Sequence, residues 1–195
     1  MMRTFLATTT LVTTLAATAH ADMARYELDT EHTAIYFTVD HIGYAKTLGI
    51  FTELNGSFKY DADTQELGDV AVTINAGSVN TFNEARDGHV RNADFLHVAD
   101  HPEITFVASG GTPGDSTSGT VTGDLTILGV TQPVTLDVKL NKAAAYPFGH
   151  KREVLGLSMS ATIQRSDFGM SYAVDNGLVG NDVSINIETE AMKME

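Results

Sequence analysis

The sequence predicts an all-β protein, an antiparallel barrel or sandwich of about eight strands. The first observation is the stretch 119–140, where apolar and polar side chains alternate on both sides of a reversal, as in a β-hairpin with one apolar face. The second is that similar alternation recurs along the chain without a repeating helix–strand unit. A sheet of this size must hide its edges as well as its apolar face, which favours closure.

Length and composition favour a single globular domain. The chain has 195 residues, of which 43% are hydrophobic and 19% charged. It contains no cysteine, which excludes disulfides, thiol nucleophiles and cysteine-ligated metals. The formal net charge of -13 repels phosphate backbones and anionic lipid surfaces, so nucleic acid is excluded as a partner.

Residues 1–21 have the pattern of a secretory signal peptide. A lone Arg3 precedes an uncharged stretch at 4–18, and the small-residue pattern at 19–21 predicts cleavage after Ala21. A membrane anchor is the competing interpretation, but the segment is rich in threonine and barely apolar over the ~20 residues that a span needs. The mature domain is therefore predicted at 22–195, with no stable insertion into a membrane.

Period-two alternation places the strands in chain order. The predicted strands are 25–29 with 34–41, then 51–60, 70–74, 104–108, the hairpin arms around a reversal at 129–133, then 154–163 and 183–187. The connections 61–68, 109–118, 141–152 and 165–180 are predicted as loops or irregular segments.

One short helix interrupts this pattern between the third and fourth strands. Thr81 and Glu84 have the spacing of a capping box, which predicts a helix from Glu84 to about Asn92. Because this segment is polar, we expect the helix to lie across the end of the sheet and not to fill it.

The interior of a closed barrel is the first predicted feature that suggests a function. Eight strands enclose a space that side chains fill or that holds one slim ligand. Gly56, Ala108 and Gly123 fall in the apolar rows, so we expect small side chains there to leave room for a ligand. An outer-membrane barrel alternates with its apolar side outward. The short apolar rows, the helix and the C-terminal AMKME disfavour it.

Several segments are typical of one family and occur in one order between residues 26 and 190: FTVDHIGYAKTLGIF, ARDGHVRNADFL, HPEITF, VTGDLTILGVTQPVTL, IQRSDFG and VGNDVSINIE. Together they resemble the YceI-like polyisoprenoid-binding family. The resemblance implies an extended, lipocalin-like, eight-stranded antiparallel β-barrel in the periplasm, often a homodimer, with a long isoprenoid lipid in an apolar tunnel.

The apolar rows of the predicted strands and a few residues near the predicted mouth are the candidate site residues. The predicted tunnel wall, which is simple core on the alternative interpretation, comprises Ile35, Phe37, Val39, Leu54, Phe58, Phe106, Leu125, Leu136, Leu157 and Met159. The headgroup or mouth residues are His41, Arg165, Asp167 and Phe168. Arg165 could donate to a quinone carbonyl or a prenyl phosphate. The favoured alternative is an Arg165–Asp167 pair that pins a loop to the sheet, with Phe168 as its hydrophobic plug.

The sequence disfavours two other chemistries. His89, Asp94, His97 and His101 lie close in sequence, but Pro102 disfavours the helix that a four-residue ligand spacing requires, so no metal site is predicted. A serine hydrolase is not predicted, because no Gly-x-Ser-x-Gly elbow marks a nucleophile.

The sequence therefore predicts a non-enzymatic periplasmic protein that binds or carries a long-chain isoprenoid lipid. A polyprenyl quinone, such as a ubiquinone, or a polyprenyl phosphate fits this prediction, and no other cofactor is expected. The alternative is a stress-related structural or interaction module with a side-chain-filled barrel and no ligand.

Overall fold

The computed structural model describes residues 23–195, so the predicted signal peptide lies outside the described residues. The elements of this part, in chain order, are β1 (Ala24–Leu28), β2 (Ala34–His41), β3 (Ala45–Phe51), β4 (Leu54–Tyr60), β5 (Leu67–Asn75), a 3-10 turn (Ala76–Ser78), β6 (Val79–Asn80), α1 (Glu84–Arg91), β7 (Glu103–Ala108), β8 (Thr112–Pro113), β9 (Ser118–Ile127), β10 (Val130–Ala145), β11 (Glu153–Gln164), a second 3-10 turn (Arg165–Phe168) and β12 (Val179–Lys193).

The strands close into an eight-stranded antiparallel barrel, as predicted. β1 and β2 act as two halves of one long strand, because β1 pairs with β4 while β2 pairs with β3. The sheet then runs from β4 through β5, β7, β9, β10 and β11 to β12. β12 closes it by pairing with both β2 and β1. Closure removes the long exposed edges that an open sheet of this size would present.

The meander gives the barrel two distinct ends. The α1 end carries the turn between β2 and β3, the helix α1, the turn between β9 and β10, and the loop that leads into β12. The opposite end carries the connections β4–β5, β7–β9 and β10–β11. Among residues 23–195, no helix is long and apolar enough to cross a bilayer.

The helix has the predicted extent, but its cap differs from the prediction. The Asn83 side chain accepts a hydrogen bond from the Arg86 N–H at 3.0 Å, so Asn83 and not Thr81 is the N-cap. Thr81 is buried, and its hydroxyl donates to Asp87 at 2.5 Å. The Arg91 guanidinium also donates to the carbonyl of Val79. These hydrogen bonds to Thr81 and Val79 hold the helix against the barrel.

The predicted strand 51–60 corresponds to β4, which begins at Leu54, and the separate strand β3 is not predicted from the sequence. In β3 the apolar Leu48 is exposed, while Gly49 faces Phe37 across the sheet. A Cβ at Gly49 would lie 2.3 Å from the Phe37 ring, so the ring occupies the space of the missing side chain. Position 49, which faces inward in β3, therefore carries no apolar side chain, so β3 lacks the alternating apolar pattern that predicts a strand.

The central hairpin turns more tightly than predicted. Leu128 and Gly129 have φ values of 53° and 72°, which fits a two-residue turn whose twist matches the strands. Pro133 lies inside β10, opposite Asp124. This is tolerated because β11 pairs with β10 only from Asp137 onward, so the proline faces an open edge.

The predicted loop at 141–152 is shorter in the structure. β10 continues to Ala145 by pairing with β11, past an irregularity between Leu140 and Lys142. Pairing with the neighbouring strand thus overrides the low β-propensity of the alanine run at 143–145.

Candidate functional site

A long cavity of about 600 Å³ runs through the barrel. Its wall includes residues of the α1 end, such as Ile42, His89 and Tyr172, and residues of the opposite end, such as Leu67 and Thr117. Between the two ends the wall is formed by the inward-facing side chains of the strands, which are mostly aliphatic and aromatic. The cavity is therefore an elongated apolar space, bordered by polar and aromatic groups near its ends.

Strand register explains why the wall is apolar. Phe106 lies directly opposite Leu125, and Ile185 lies directly opposite Phe37. Directly opposed residues point to the same face, so each apolar row of the sequence continues into the next strand. Every fully buried side-chain nitrogen or oxygen in the described part of the chain has a hydrogen-bond partner.

The predicted wall residues lie on this cavity with one exception. Leu54 does not line it and borders a small polar surface hollow beside Glu53 and Asn75. The others all line the cavity: Ile35, Phe37, Val39, Phe58, Phe106, Leu125, Leu136, Leu157 and Met159. That these side chains contact a ligand stays a prediction.

The small residues do not create the empty space, contrary to expectation. A Cβ at Gly123 would lie 2.6 Å from the Phe106 ring and 2.6 Å from the Val107 carbonyl oxygen. A Cβ at Gly56 would lie 2.9 Å from side-chain atoms of Leu28 and Val72. These glycines let larger neighbours pack over them, so the cavity arises from the diameter of the barrel.

An aromatic cluster lies at the α1 end. The rings of His89, Phe95 and Tyr172 meet edge to face, with centroids 5.0–5.3 Å apart. All three residues line the cavity, and they come from the helix, the segment after it and the loop before β12. Sequence analysis missed this cluster, because no local pattern predicts that these separate segments meet.

Arg165 lies beneath this cluster and is almost completely buried. Its guanidinium donates to four backbone carbonyls, those of Met170, Tyr172, Val179 and Gly180, at 2.7–2.9 Å. Burial lowers the pKa of its guanidinium. Arginine has five N–H donors, so one remains for another acceptor. Arg165 also lines the cavity, with its guanidinium carbon 5.7 Å from the centre of the Phe95 ring.

The predicted Arg165–Asp167 pair does not form. None of the ion pairs found in the described part of the chain involves Arg165, and Asp167 is exposed. Phe168 is buried in the core, as expected for a plug, and does not line the cavity. His41 does line it. Of the four predicted mouth residues, only His41 and Arg165 therefore reach the cavity.

The opposite end of the cavity has a polar border. Asp115, Ser116 and Thr117 line it there, together with Gln65. Hydrogen bonds from the backbone N–H of Thr117 and neighbouring groups lower the pKa of Asp115, which stays ionised. The aromatic cluster is found at the α1 end, where Asp40 and Arg86 also line the cavity.

Two of the three histidines considered for a metal pair with separate carboxylates, and the third, His101, packs its ring against that of His97. His89 lies 3.0 Å from Asp94, and His97 lies 3.3 Å from Asp100. Within residues 23–195, the one group of possible ligands that meets is Asp29, His32 and Glu190. The His32 ring lies 2.8 Å from Asp29, and this hydrogen bond accounts for the proximity without an ion.

Comparison with known proteins assigns the family. The family model of the YceI-like domain matches residues 26–191. The chain belongs to the YceI-like family. A UPF0312 protein of Pectobacterium atrosepticum is 36% identical to it over the full length of both chains.

Solved structures agree with this assignment. The YceI protein of Campylobacter jejuni superposes with a TM-score of 0.73 at 28% identity, covering 95% of this YceI-like chain and 100% of its own. A polyisoprenoid binding domain from Saccharophagus degradans superposes with a TM-score of 0.63 at 16% identity, covering 88% and 99% of the two chains. At that identity the second likeness shows the shared barrel fold alone.

Proposed function

We propose that the protein is a periplasmic carrier that holds a long-chain isoprenoid lipid in its barrel and has no chemistry of its own. The observation that carries the proposal is the cavity of about 600 Å³, which runs from one end of the barrel to the other between apolar walls. The description of the Saccharophagus degradans domain as polyisoprenoid-binding supports the same class of ligand.

The shape of the cavity suits a chain-like ligand. β12 has 15 residues and therefore extends about 50 Å at ~3.3 Å per residue. With strands tilted by about 40°, the barrel is about 35–40 Å long. Because the lining residues run from one end of the barrel to the other, an extended apolar chain can contact them along its length.

Burial of the tail supplies the affinity. At about 0.3 kcal/mol per heavy atom, a tail of about forty carbons contributes about 12 kcal/mol, equivalent to a dissociation constant near 1 nM. The driving force is removal of the chain from water, and the acidic exterior keeps the complex in solution.

The headgroup contacts that we propose are those of His41 and Arg165. The remaining N–H of the buried Arg165 is available to a quinone carbonyl or a phosphate oxygen, and the Phe95 ring lies close by. Asp167 and Phe168 are not part of this proposal, because neither reaches the cavity.

Extraction tests the proposal directly. Protein purified from its own host is extracted with organic solvent, and the extract is analysed by mass spectrometry. We expect about one isoprenoid lipid per chain, since one cavity holds one tail. Protein that releases no lipid, and that fails to take up a polyprenyl quinone from detergent, would contradict the carrier function.

The alternative of a side-chain-filled barrel has no support in the described part of the chain. Its interior would have to be packed by its own side chains, as the cores of small barrels are. A cavity of about 600 Å³ leaves the interior of the barrel unfilled by side chains. A homodimer stays a prediction, which sedimentation of the purified protein tests.

A further inference from the structure

Large apolar side chains are exposed around the cavity opening at the α1 end. Ile42, Tyr44, Tyr172 and Leu178 are 44%, 89%, 46% and 45% exposed. We name these four residues the apolar rim. Ile42, Tyr172 and Leu178 also line the cavity, so the rim continues the cavity wall to the outside. The border of the cavity at the other end is polar, as described above.

The backbone at Ile42 is strained. Ile42 has a φ of 56° and is followed by Gly43 with a φ of 70°; the two are the central residues of a β-turn in the three-residue connection between β2 and β3, where the Tyr44 N–H donates to the His41 carbonyl. Such turns favour asparagine followed by glycine, and a β-branched residue at positive φ is a rare outlier. An exposed isoleucine is therefore both sterically and hydrophobically unfavourable here. Strain of this kind is concentrated at functional sites.

The rim is fixed in position. The Ile42 N–H donates to the Leu178 carbonyl at 3.2 Å, which joins the turn to the loop before β12. The Gly43 N–H donates to the Asp40 carboxylate at 2.7 Å. Tyr172 packs against His89 and Phe95. The apolar side chains are thus presented to solvent by an ordered framework.

We propose that the apolar rim docks the α1 end of the barrel onto a lipid bilayer, so that cargo passes between the bilayer and the cavity without crossing water. This inference rests on the proposed function, because a long isoprenoid chain that leaves the cavity has its apolar reservoir in a bilayer. Tyrosine beside aliphatic residues is the composition of the bilayer interface, where the ring is buried and the hydroxyl stays hydrated.

The charge of the protein sets the kind of surface. A net charge of -13 is repelled by anionic lipids, so attraction of opposite charges does not drive docking. Insertion of the apolar rim into the bilayer drives docking. We therefore expect vesicles of phosphatidylcholine to bind more protein than vesicles with an equal part of phosphatidylglycerol, and we expect added salt to reduce this difference.

Vesicle flotation with matched variants tests the docking surface. Tyr44→Ser and Ile42→Asn remove apolar groups from the rim, and Phe148→Ser removes one from the β10–β11 loop at the opposite end, where Phe148 is 65% exposed. We expect about a tenfold loss of vesicle binding for each rim variant, equivalent to about 1.4 kcal/mol, and no loss for Phe148→Ser. Asparagine adopts positive φ readily, so Ile42→Asn keeps its melting temperature.

A single tryptophan reports insertion, since the chain has none of its own. In Tyr44→Trp, we expect the emission to shift to the blue with phosphatidylcholine vesicles and to be quenched by brominated lipid. In Phe148→Trp, we expect neither change.

Three results would overturn the docking proposal: the protein does not float with phosphatidylcholine vesicles, the rim variants and Phe148→Ser bind equally, or the Tyr44→Trp emission is unaltered. A rim that served a protein partner would give the first result. The lipid content of Tyr44→Ser, measured by extraction, should equal that of the wild type, because Tyr44 does not line the cavity. Vesicle binding measures docking and extraction measures cargo, so failure of either proposal is recognised separately.

Discussion

At the scale of single residues, Arg165 shows how a buried cation is held without a carboxylate. Its fork-shaped guanidinium donates to two carbonyls of the segment before β12 and to two at the start of β12, and this fixes the loop beside the cavity. A flexible lysine cannot reproduce this pattern, although it carries the same charge.

We predict that Arg165→Lys destabilises the protein by about 2–4 kcal/mol, since buried carbonyls lose their donors. Urea unfolding measures the change. Arg25→Lys is the control, because Arg25 is exposed and its side chain bonds Glu27; its effect should stay below about 0.5 kcal/mol. Equal effects of both variants would contradict the structural role of Arg165.

A second residue, Asp87, makes stability depend on pH. Hydrogen bonds from the Thr81 hydroxyl and N–H lower the pKa of the Asp87 carboxyl below its ordinary value. A carboxyl with a lowered native pKa stabilises the fold above its unfolded pKa of about 3.9, and this contribution is lost as the pH falls through the native value.

Asp87→Asn should therefore lower the melting temperature at pH 7, and its difference from the wild type should shrink at pH 3. The exposed Asp63→Asn serves as control and should change little at either pH. If the melting temperature of Asp87→Asn differed from that of the wild type by the same amount at pH 7 and at pH 3, the charge of the Asp87 carboxylate would be unimportant for stability.

At the scale of elements, the space beside a glycine in a strand is occupied by an aromatic ring of the neighbouring strand. The Phe106 ring and the Val107 carbonyl both occupy the space beside Gly123 in β9. The carbonyl belongs to the backbone of β7 and cannot move without disturbing the sheet.

We predict that Gly123→Ala costs about 1–3 kcal/mol of folding free energy through overpacking. Gly88→Ala is the matched control, because a Cβ added there would meet no atom within 4 Å beyond the backbone of α1 itself. That change should stabilise the protein by about 0.5–1 kcal/mol, as expected for alanine within a helix. Chemical denaturation of both variants measures the contrast, and a neutral Gly123→Ala would refute the close packing.

At the scale of the whole molecule, members of both buried clusters, such as Phe106 and Phe58, also line the cavity. Buried side chains form one cluster around Phe168 near α1 and another around Tyr26 at the opposite end. The Tyr26 ring stacks on Phe58 with centroids 5.4 Å apart, and the Tyr26 hydroxyl donates to Glu153 at 2.5 Å. Val134 lines the cavity but is not among the fully buried members of either cluster.

Narrowing the cavity should thus reduce lipid occupancy without unfolding the protein. Val134 lines the cavity from β10, and Val134→Phe would place a ring in the path of the tail. Thr135→Phe, on the exposed face of the same strand, is the control. We expect less extracted lipid from the first variant alone, with both variants folded by circular dichroism. Unchanged lipid in Val134→Phe would place the cargo elsewhere.

The sequence by itself determined the strand count, the barrel, the helix and most of the apolar wall. Alternation such as that of Val121, Leu125 and Ile127 is a local property, and period two places such residues on one face. The same periodicity failed in β3, where an inward glycine faces Phe37. Only contact across the sheet supplies the missing apolar group.

Tertiary structure alone decided the ends of the cavity. The cluster of His89, Phe95 and Tyr172, the carbonyls around Arg165, and the rim of Ile42 beside Leu178 each join segments that are distant in sequence. No local pattern encodes such meetings, because they depend on the register with which the closed sheet brings its loops together.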